Sequence, residues 1–248
     1  MSNHLSLTWE ENGVGYENGI VVLTGIGRSG QTGEVVARAA AAKGARLALV
    51  SRSLEDAEAR RAELREAGFE ARAFACDLAD EAQVASLAGS VRSAYGERVD
   101  ALINIAGGFA MSGPVAESDF TAWQRQITIN LTTAYLATRA FLPSLRAARG
   151  SIVYFSSAAT LPGAKVARMA AYAAAKSGVI ELMRAVAQEE REHGVRANAV
   201  APTAIRTATN VASMGEKPRY VEREDVAATV LWLCSDEARA VTGEVVGM

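Results

Sequence analysis

"LTGIGRSGQTGEVV", Leu23 to Val36, sets four glycines (Gly25, Gly27, Gly30 and Gly33) between a run of β-branched residues and an alanine-rich segment. The residues leading into it, "IVVLTG" (20–25), read as a short buried strand. Those leaving it, through "GEVVARAAAAKG", read as a helix that ends at Lys43-Gly44. A glycine-rich turn from strand to helix lets main-chain N–H groups approach an anion at the positive end of the helix. Gly25, Gly27 and Gly30 also spell GxGxxG, the spacing associated with a dinucleotide's pyrophosphate. The motif is short, and similar turns join strands to helices without any ligand, so its weight depends on the rest of the chain.

Beyond the turn, strand and helix signals alternate regularly. Strands are predicted at 45–51, 69–77, 99–107, 150–157 and 195–202, and helices at 53–68, 80–96, 170–193 and 223–235. A long helical region is predicted over 115–148, broken late by Pro143. Continuous apolar strands, each followed by a helix, make βαβ units and hence a parallel sheet covered on both faces. The prediction is an α/β fold: one doubly wound, Rossmann-like domain over residues 19–248, with a central sheet of about seven strands. Residues 1–18 read as a loose polar tail, pinned to the body by Trp9 and Tyr16. Ligands in such sheets sit beyond the C-terminal ends of the strands, which directs attention to the strand ends.

Composition removes several function classes. A net charge of −2 argues against nucleic acid as a partner and against strong attraction to anionic membranes. No apolar run reaches the length of a membrane span, and the N-terminal stretch lacks a basic-then-apolar signal pattern. The two cysteines, Cys76 and Cys234, lie far apart in apolar surroundings and read as reduced thiols of a cytoplasmic protein. With only two histidines, His4 and His193, there is little material for a Ser-His-Asp triad or a metal site, and no metal is expected. Acid–base chemistry falls to Tyr, Lys, Asp, Glu or Cys.

The strand ends carry suitable groups. About 20 residues past the glycine turn, where a ribose-binding carboxylate is expected, the chain offers Ser51-Arg52. An arginine there suits a 2′-phosphate, with Arg28 in the turn as a second cation, so NADP(H) is favoured over NAD(H). Asp77 in "CDL" (76–78) either accepts from an adenine amino group or caps the next helix. Ala106-Gly107, ending "NIAG" (104–107), lets the backbone lie against a flat nucleotide. Tyr172 and Lys176 stand at i and i+4 in "YAAAK", one face of a helix, after a strand ending in Ser156-Ser157.

Taken in order, the glycine turn, "CDL", "NIAG", "INLTTAYL" (129–136), "SS", "YAAAK", "NAVAPT" (198–203) and "EDVAATVLWLCSDEARAVTG" (224–243) resemble the short-chain dehydrogenase/reductase family from about Gly19 onward. The resemblance implies a catalytic tetrad of Asn130, Ser157, Tyr172 and Lys176. Tyr172 acts as general acid toward a carbonyl oxygen, and Lys176 lowers its pKa and holds the nicotinamide ribose. Ser157 hydrogen-bonds the substrate oxygen, and Asn130 positions a water that links Lys176 to solvent. It further implies cofactor contacts from Gly25, Gly27, Arg28, Ser29, Gly30, Gly33, Ser51, Arg52, Asp77, Leu78, Asn104, Ala106, Gly107, Pro202, Thr203, Ile205 and Thr207. Two departures stand out. Gly25, Gly30 and Gly33 match the family's three glycines only if the turn carries roughly two extra residues, and Pro202-Thr203 replaces the usual Pro-Gly.

The implied activity is NADP(H)-dependent interconversion of a small-molecule carbonyl and its alcohol. The alternatives are an NAD-dependent alcohol dehydrogenase on the same scaffold and a non-catalytic nucleotide-binding relative. Residues 107–114, 158–169 and 207–220 are expected to line the substrate pocket, with Phe109, Met111, Leu161, Met169 and Met214 making it apolar and Lys165 and Arg168 at its edge. A homodimer or homotetramer is expected from helices around 115–148 and 170–193.

Overall fold

The computed structural model describes residues 16–248. Seven parallel strands form one sheet in the order β3-β2-β1-β4-β5-β6-β7. They are β1 (Ile20–Thr24), β2 (Arg46–Ser51), β3 (Ala71–Ala75), β4 (Ala101–Asn104), β5 (Ser151–Phe155), β6 (Arg196–Ala201) and β7 (Val245–Gly247). The helices are α1 (Thr32–Ala42), α2 (Leu54–Glu66), α3 (Glu81–Tyr95), α4 (Phe120–Ile127), α5 (Thr133–Ala148), α6 (Ala170–Glu189), α7 (Ala208–Met214) and α8 (Arg223–Cys234). The strand order reverses between β1 and β4, which opens a crevice at their C-terminal ends.

Side chains alternate across each strand, so both faces of the sheet are buried. Val21, Leu23, Ile103 and Val153 face a core completed by Val36 and Ala40 of α1 and Val226 and Val230 of α8. Val22, Leu102, Ile152 and Tyr154 face the other core, against Val84 and Leu87 of α3, Phe141 and Leu145 of α5, and Val179 and Met183 of α6. This is the doubly wound arrangement that the alternation predicts.

Several local expectations need correction. Pro143 does not break its helix: α5 runs through it to Ala148. A proline removes one intrahelical hydrogen bond, and buried Phe141 and Leu145 on either side hold the segment in place. The long helical region expected over 115–148 starts at Phe120 and runs without a break to Ala148, with a wide π turn at 128–132 between α4 and α5. Strands end short of their expected limits, β4 at Asn104 rather than residue 107, because the chain turns out of the ladder to edge the crevice. The seventh strand, Val245–Gly247, and α7 were not individually foreseen. Of the expected tail, residues 1–15, including Trp9, lie outside the described residues. Tyr16 is buried, its hydroxyl donates to the Leu231 carbonyl, and the Asn18 N–H donates to Gly44 O, so residues 16–18 belong to the body.

Candidate active site

The glycine turn lies at the head of the crevice. Gly25 has φ +73°, and a Cβ there would come within 2.6 Å of the Ala106 Cα, so only glycine lets the ends of β1 and β4 approach this closely. Gly27 has nothing within 4 Å of where its Cβ would stand, which leaves room for a ligand against the backbone. The N-cap of α1, Gln31, makes no side-chain capping bond, and the free first-turn N–H groups lie beside Thr32 and Gly33 at the wall of the cleft. The cleft has a volume of about 440 Å³. Open space at Gly27, uncapped helix donors and small Ala106-Gly107 fit a dinucleotide's phosphates and flat rings.

Of the expected cofactor residues, Gly25, Gly27, Gly33, Ser51, Arg52, Asp77, Leu78, Ala106 and Gly107 line this cleft. Arg28 and Ser29 are exposed on the turn and do not line it, and Gly30 packs instead on Ala208. Asn104 is buried, and its Nδ2 donates to Thr138 Oγ1 at 3.3 Å, so its side chain faces the core. Pro202, Thr203, Ile205 and Thr207 also lie outside the cleft lining. The Pro202 carbonyl accepts from Ala158 N, the Thr203 N–H donates to Met248 O, Ile205 bridges Val221, and buried Thr207 caps α7.

The cleft also recruits residues the sequence reading missed. Thr32 adjoins Gly33, and Asp56 follows Arg52 by four. Arg125, Ile129 and Thr133 recur every four residues along α4, the π turn and α5. That spacing is a one-face signal and was available in the sequence.

A second cluster gathers at the end of β5. Buried Lys176 extends its Nζ to the Phe155 carbonyl at 2.7 Å, one turn along α6 from Tyr172, with Nζ 5.9 Å from the centre of the Tyr172 ring. The π turn carries buried Asn130 to the same place: its Oδ1 accepts from Gly108 N and its Nδ2 donates to Gly108 O, both at 3.0 Å, and to Gln126. A Cβ on Gly107 would stand 2.6 Å from Asn130 Oδ1 and 3.2 Å from Lys176 Nζ, which places the strand end of the cleft directly against both side chains. π turns of this kind recur at functional sites. The two serines separate cleanly. Ser156 is buried and donates to the Lys176 carbonyl at 3.1 Å, a structural bond, whereas half-buried Ser157 accepts from the Ala159 N–H at 3.2 Å and lies beside the Tyr172 phenol.

This geometry meets its match in known proteins. The model for short chain dehydrogenases matches residues 20–217. This chain belongs to the short-chain dehydrogenase/reductase family. The 2-(S)-hydroxypropyl-CoM dehydrogenase 3 of Xanthobacter autotrophicus is 33% identical, covering 92% of this chain and 93% of that protein. D-Threitol dehydrogenase of Mycolicibacterium smegmatis is 32% identical over 88% and 86% of the two chains. The crystal structure of levodione reductase superposes with a TM-score of 0.86 at 31% identity, covering 94% of this chain and 96% of that one. The protein is therefore an oxidoreductase of CH–OH and C=O groups, and its family works with NAD(H) or NADP(H).

Burial sets the acid–base character of this dehydrogenase's cluster. Desolvation raises the Tyr172 phenol above its ordinary value of 10, against which the nearby Ser157 hydroxyl pulls down. The lowering that the resemblance implies belongs to Lys176 acting together with the charge of an oxidised nicotinamide. Burial also pushes the Lys176 ammonium down, to about 8. Beside Tyr172, the Phe109 ring stands edge-on at 5.0 Å between centroids. Phe109, Met111 and Met214 are exposed, as are Lys165 and Arg168, while Leu161 and Met169 are half-buried. Two of the expected pocket segments are joined, since Ser112 N and Gly113 N both donate to the Arg168 carbonyl.

Proposed function

We propose that this dehydrogenase/reductase is an NADP(H)-preferring carbonyl reductase that also oxidises the corresponding alcohol, with Tyr172 as the group that moves the proton. The observation that carries the reading is the pairing of Tyr172 with buried Lys176, whose Nζ lies 5.9 Å from the phenol ring centre, at the strand end where Lys176 and Gly107 meet the dinucleotide cleft. The nicotinamide nucleotide supplies the hydride when bound. The rest falls to the chain's own side chains.

Because burial holds the phenol protonated through neutral pH, Tyr172 is loaded as a general acid for the reductive direction. Ser157, beside the phenol, holds the substrate oxygen within reach of that proton. Lys176 is fixed by the Phe155 carbonyl beside Gly107, where it would hold the ribose of a bound nicotinamide nucleotide. Asn130 stands beside Lys176, where the resemblance has it position a water, and it also braces the backbone. Its amide is already engaged by Gly108 and Gln126, so it fixes the Gly107-Gly108 backbone against Lys176. Exposed Phe109 and Met111 offer the carbonyl substrate an apolar wall beside Tyr172.

Arg52 at the cleft supports a 2′-phosphate and hence NADP(H). One feature favours the NAD(H) reading: Asp56 lines the same cleft and would repel a 2′-phosphate. We read the enzyme as cytoplasmic, on its two free cysteines. No helix among the described residues is long and apolar enough to cross a membrane. The test is consumption of NADPH and NADH over a panel of ketones, aldehydes and alcohols. Turnover with a higher kcat/KM for NADPH is expected. A preference for NADH moves the assignment to the NAD reading, and tight nucleotide binding without turnover on any carbonyl contradicts the enzymatic role given to Tyr172.

A further inference from the structure

The glycine turn is longer than its family's pattern, and the structure shows where the additional length goes. Glu34, in the first turn of α1, reaches back with Oε2 to the Gly30 N–H at 2.6 Å and to the Ser29 hydroxyl at 3.3 Å. This resembles a capping box displaced by one residue, and an acidic side chain at a helix N-terminus is electrostatically favoured. Two arginines from other elements face the same carboxylate: Arg60 of α2 and Arg223 of α8, each at 3.9 Å. Arg60 is nine-tenths buried, and its Nε and Nη1 have no hydrogen-bond partner. Apart from Glu63 at 2.8 Å, Glu34 is the carboxylate that balances this buried charge.

The far side of the turn docks on the head of α7. The Ala208 N–H donates to Gly30 O at 2.9 Å, and Gln31 Nε2 donates to Thr209 Oγ1 at 3.0 Å. Gly30 has φ +79°, and a Cβ on it would come 2.8 Å from the Ala208 Cβ, so contact at this range requires glycine. Gly30 does not line the cleft, whereas Gly27, Gln31, Thr32 and Gly33 do. The carboxylate therefore engages the donor that faces outward and leaves the first-turn donors of α1 for phosphate.

We propose that Glu34 is a positioning residue for both halves of the site: it folds the extra length of the glycine turn away from the cleft and onto the head of α7. One carboxylate thereby fixes the phosphate turn and the segment that bears Met214, expected to line the substrate pocket. The inference rests on the reading of the cleft as a nicotinamide-nucleotide site.

The test compares the full-length parent with Glu34→Ala and Glu34→Gln. Glu34→Ala is expected to raise KM for NADPH and for the carbonyl substrate, each about tenfold, the weight of one charge-assisted hydrogen bond, with a smaller fall in kcat. Glu34→Gln keeps an acceptor for Gly30 N–H and is expected to recover part of that loss. Amide hydrogen exchange of the protein without nucleotide should rise in Glu34→Ala over residues 27–31 and 207–213 together, with the strands unchanged. Unaltered KM values, exchange confined to 27–31, or a general rise across the sheet would each overturn the proposal. Should the parent bind no nicotinamide nucleotide, the functional reading falls, while the exchange experiment still decides whether Glu34 anchors the turn and α7.

Discussion

Lys176 offers the most quantitative perturbation. It is buried, its ammonium is bonded to one carbonyl, Phe155 O, and burial takes it from an ordinary 10.5 down to about 8. At 1.36 kcal/mol for each tenfold step, that displacement is a penalty of about 3 kcal/mol on the charged form at neutral pH. Lys176→Met keeps the chain length and apolar stem, removes the buried charge, and gives up a charge-assisted hydrogen bond worth about 2 kcal/mol. The net gain is about 1 kcal/mol, which for a domain of this size raises Tm by about 2–4 °C. The pH dependence fixes the cause. Between about 8 and 10.5 the unfolded lysine holds its proton and the folded one does not, so the parent gains stability as pH rises through that window. The advantage of Lys176→Met should therefore be full at pH 7 and shrink by pH 10, as read by paired thermal melts, while turnover is lost. A variant no more stable than the parent at pH 7, or an advantage unchanged at pH 10, would refute the argument.

Arg52→Asp replaces attraction for a 2′-phosphate with repulsion, and the NADPH-to-NADH ratio of kcat/KM should fall by about tenfold or more; an unchanged ratio removes Arg52 from the site. The exposed side chains of Phe120, Trp123 and Tyr135 on α4 and α5 are expected to be covered in a homodimer or homotetramer. Light scattering at micromolar concentration checks this, and a monomer would contradict it.

The fold was legible because its signals are periodic. Apolar runs such as "IVVLTG" and "GSIVYFSS" can only be strands buried on both faces, and the helices between them carry their own apolar stripes. What escaped was set by tertiary packing. Pro143 reads locally as a stop, yet α5 is held through it by side chains buried in the sheet core. The π turn at 128–132 has no composition of its own; it follows from Asn130 reaching Gly108. In the site, Tyr172 and Lys176 were singled out by their i, i+4 spacing, and Ser157 was chosen over Ser156 by resemblance alone. The fold adds what the sequence lacks, turning the Ser156 hydroxyl to the Lys176 carbonyl. Asn104 matched a pattern by position while its side chain faces the core, and Arg28 and Ser29 stand exposed on the turn outside the cleft lining. Glu34 went unnoticed because its partners come from α2, α8 and a turn whose path only the fold defines.

The central claim is that Tyr172 delivers the proton. Tyr172→Phe keeps the ring and its edge contact with Phe109 while removing the hydroxyl. General acid catalysis contributes about 10²–10⁴-fold, so kcat with NADPH and a carbonyl substrate should fall by at least about a hundredfold. NADPH affinity, measured by direct titration, should stay close to that of the parent, because Lys176 and the glycine turn are intact. A Tyr172→Phe enzyme whose kcat stays within about threefold of the parent would contradict the account, since it would show that the proton comes from elsewhere.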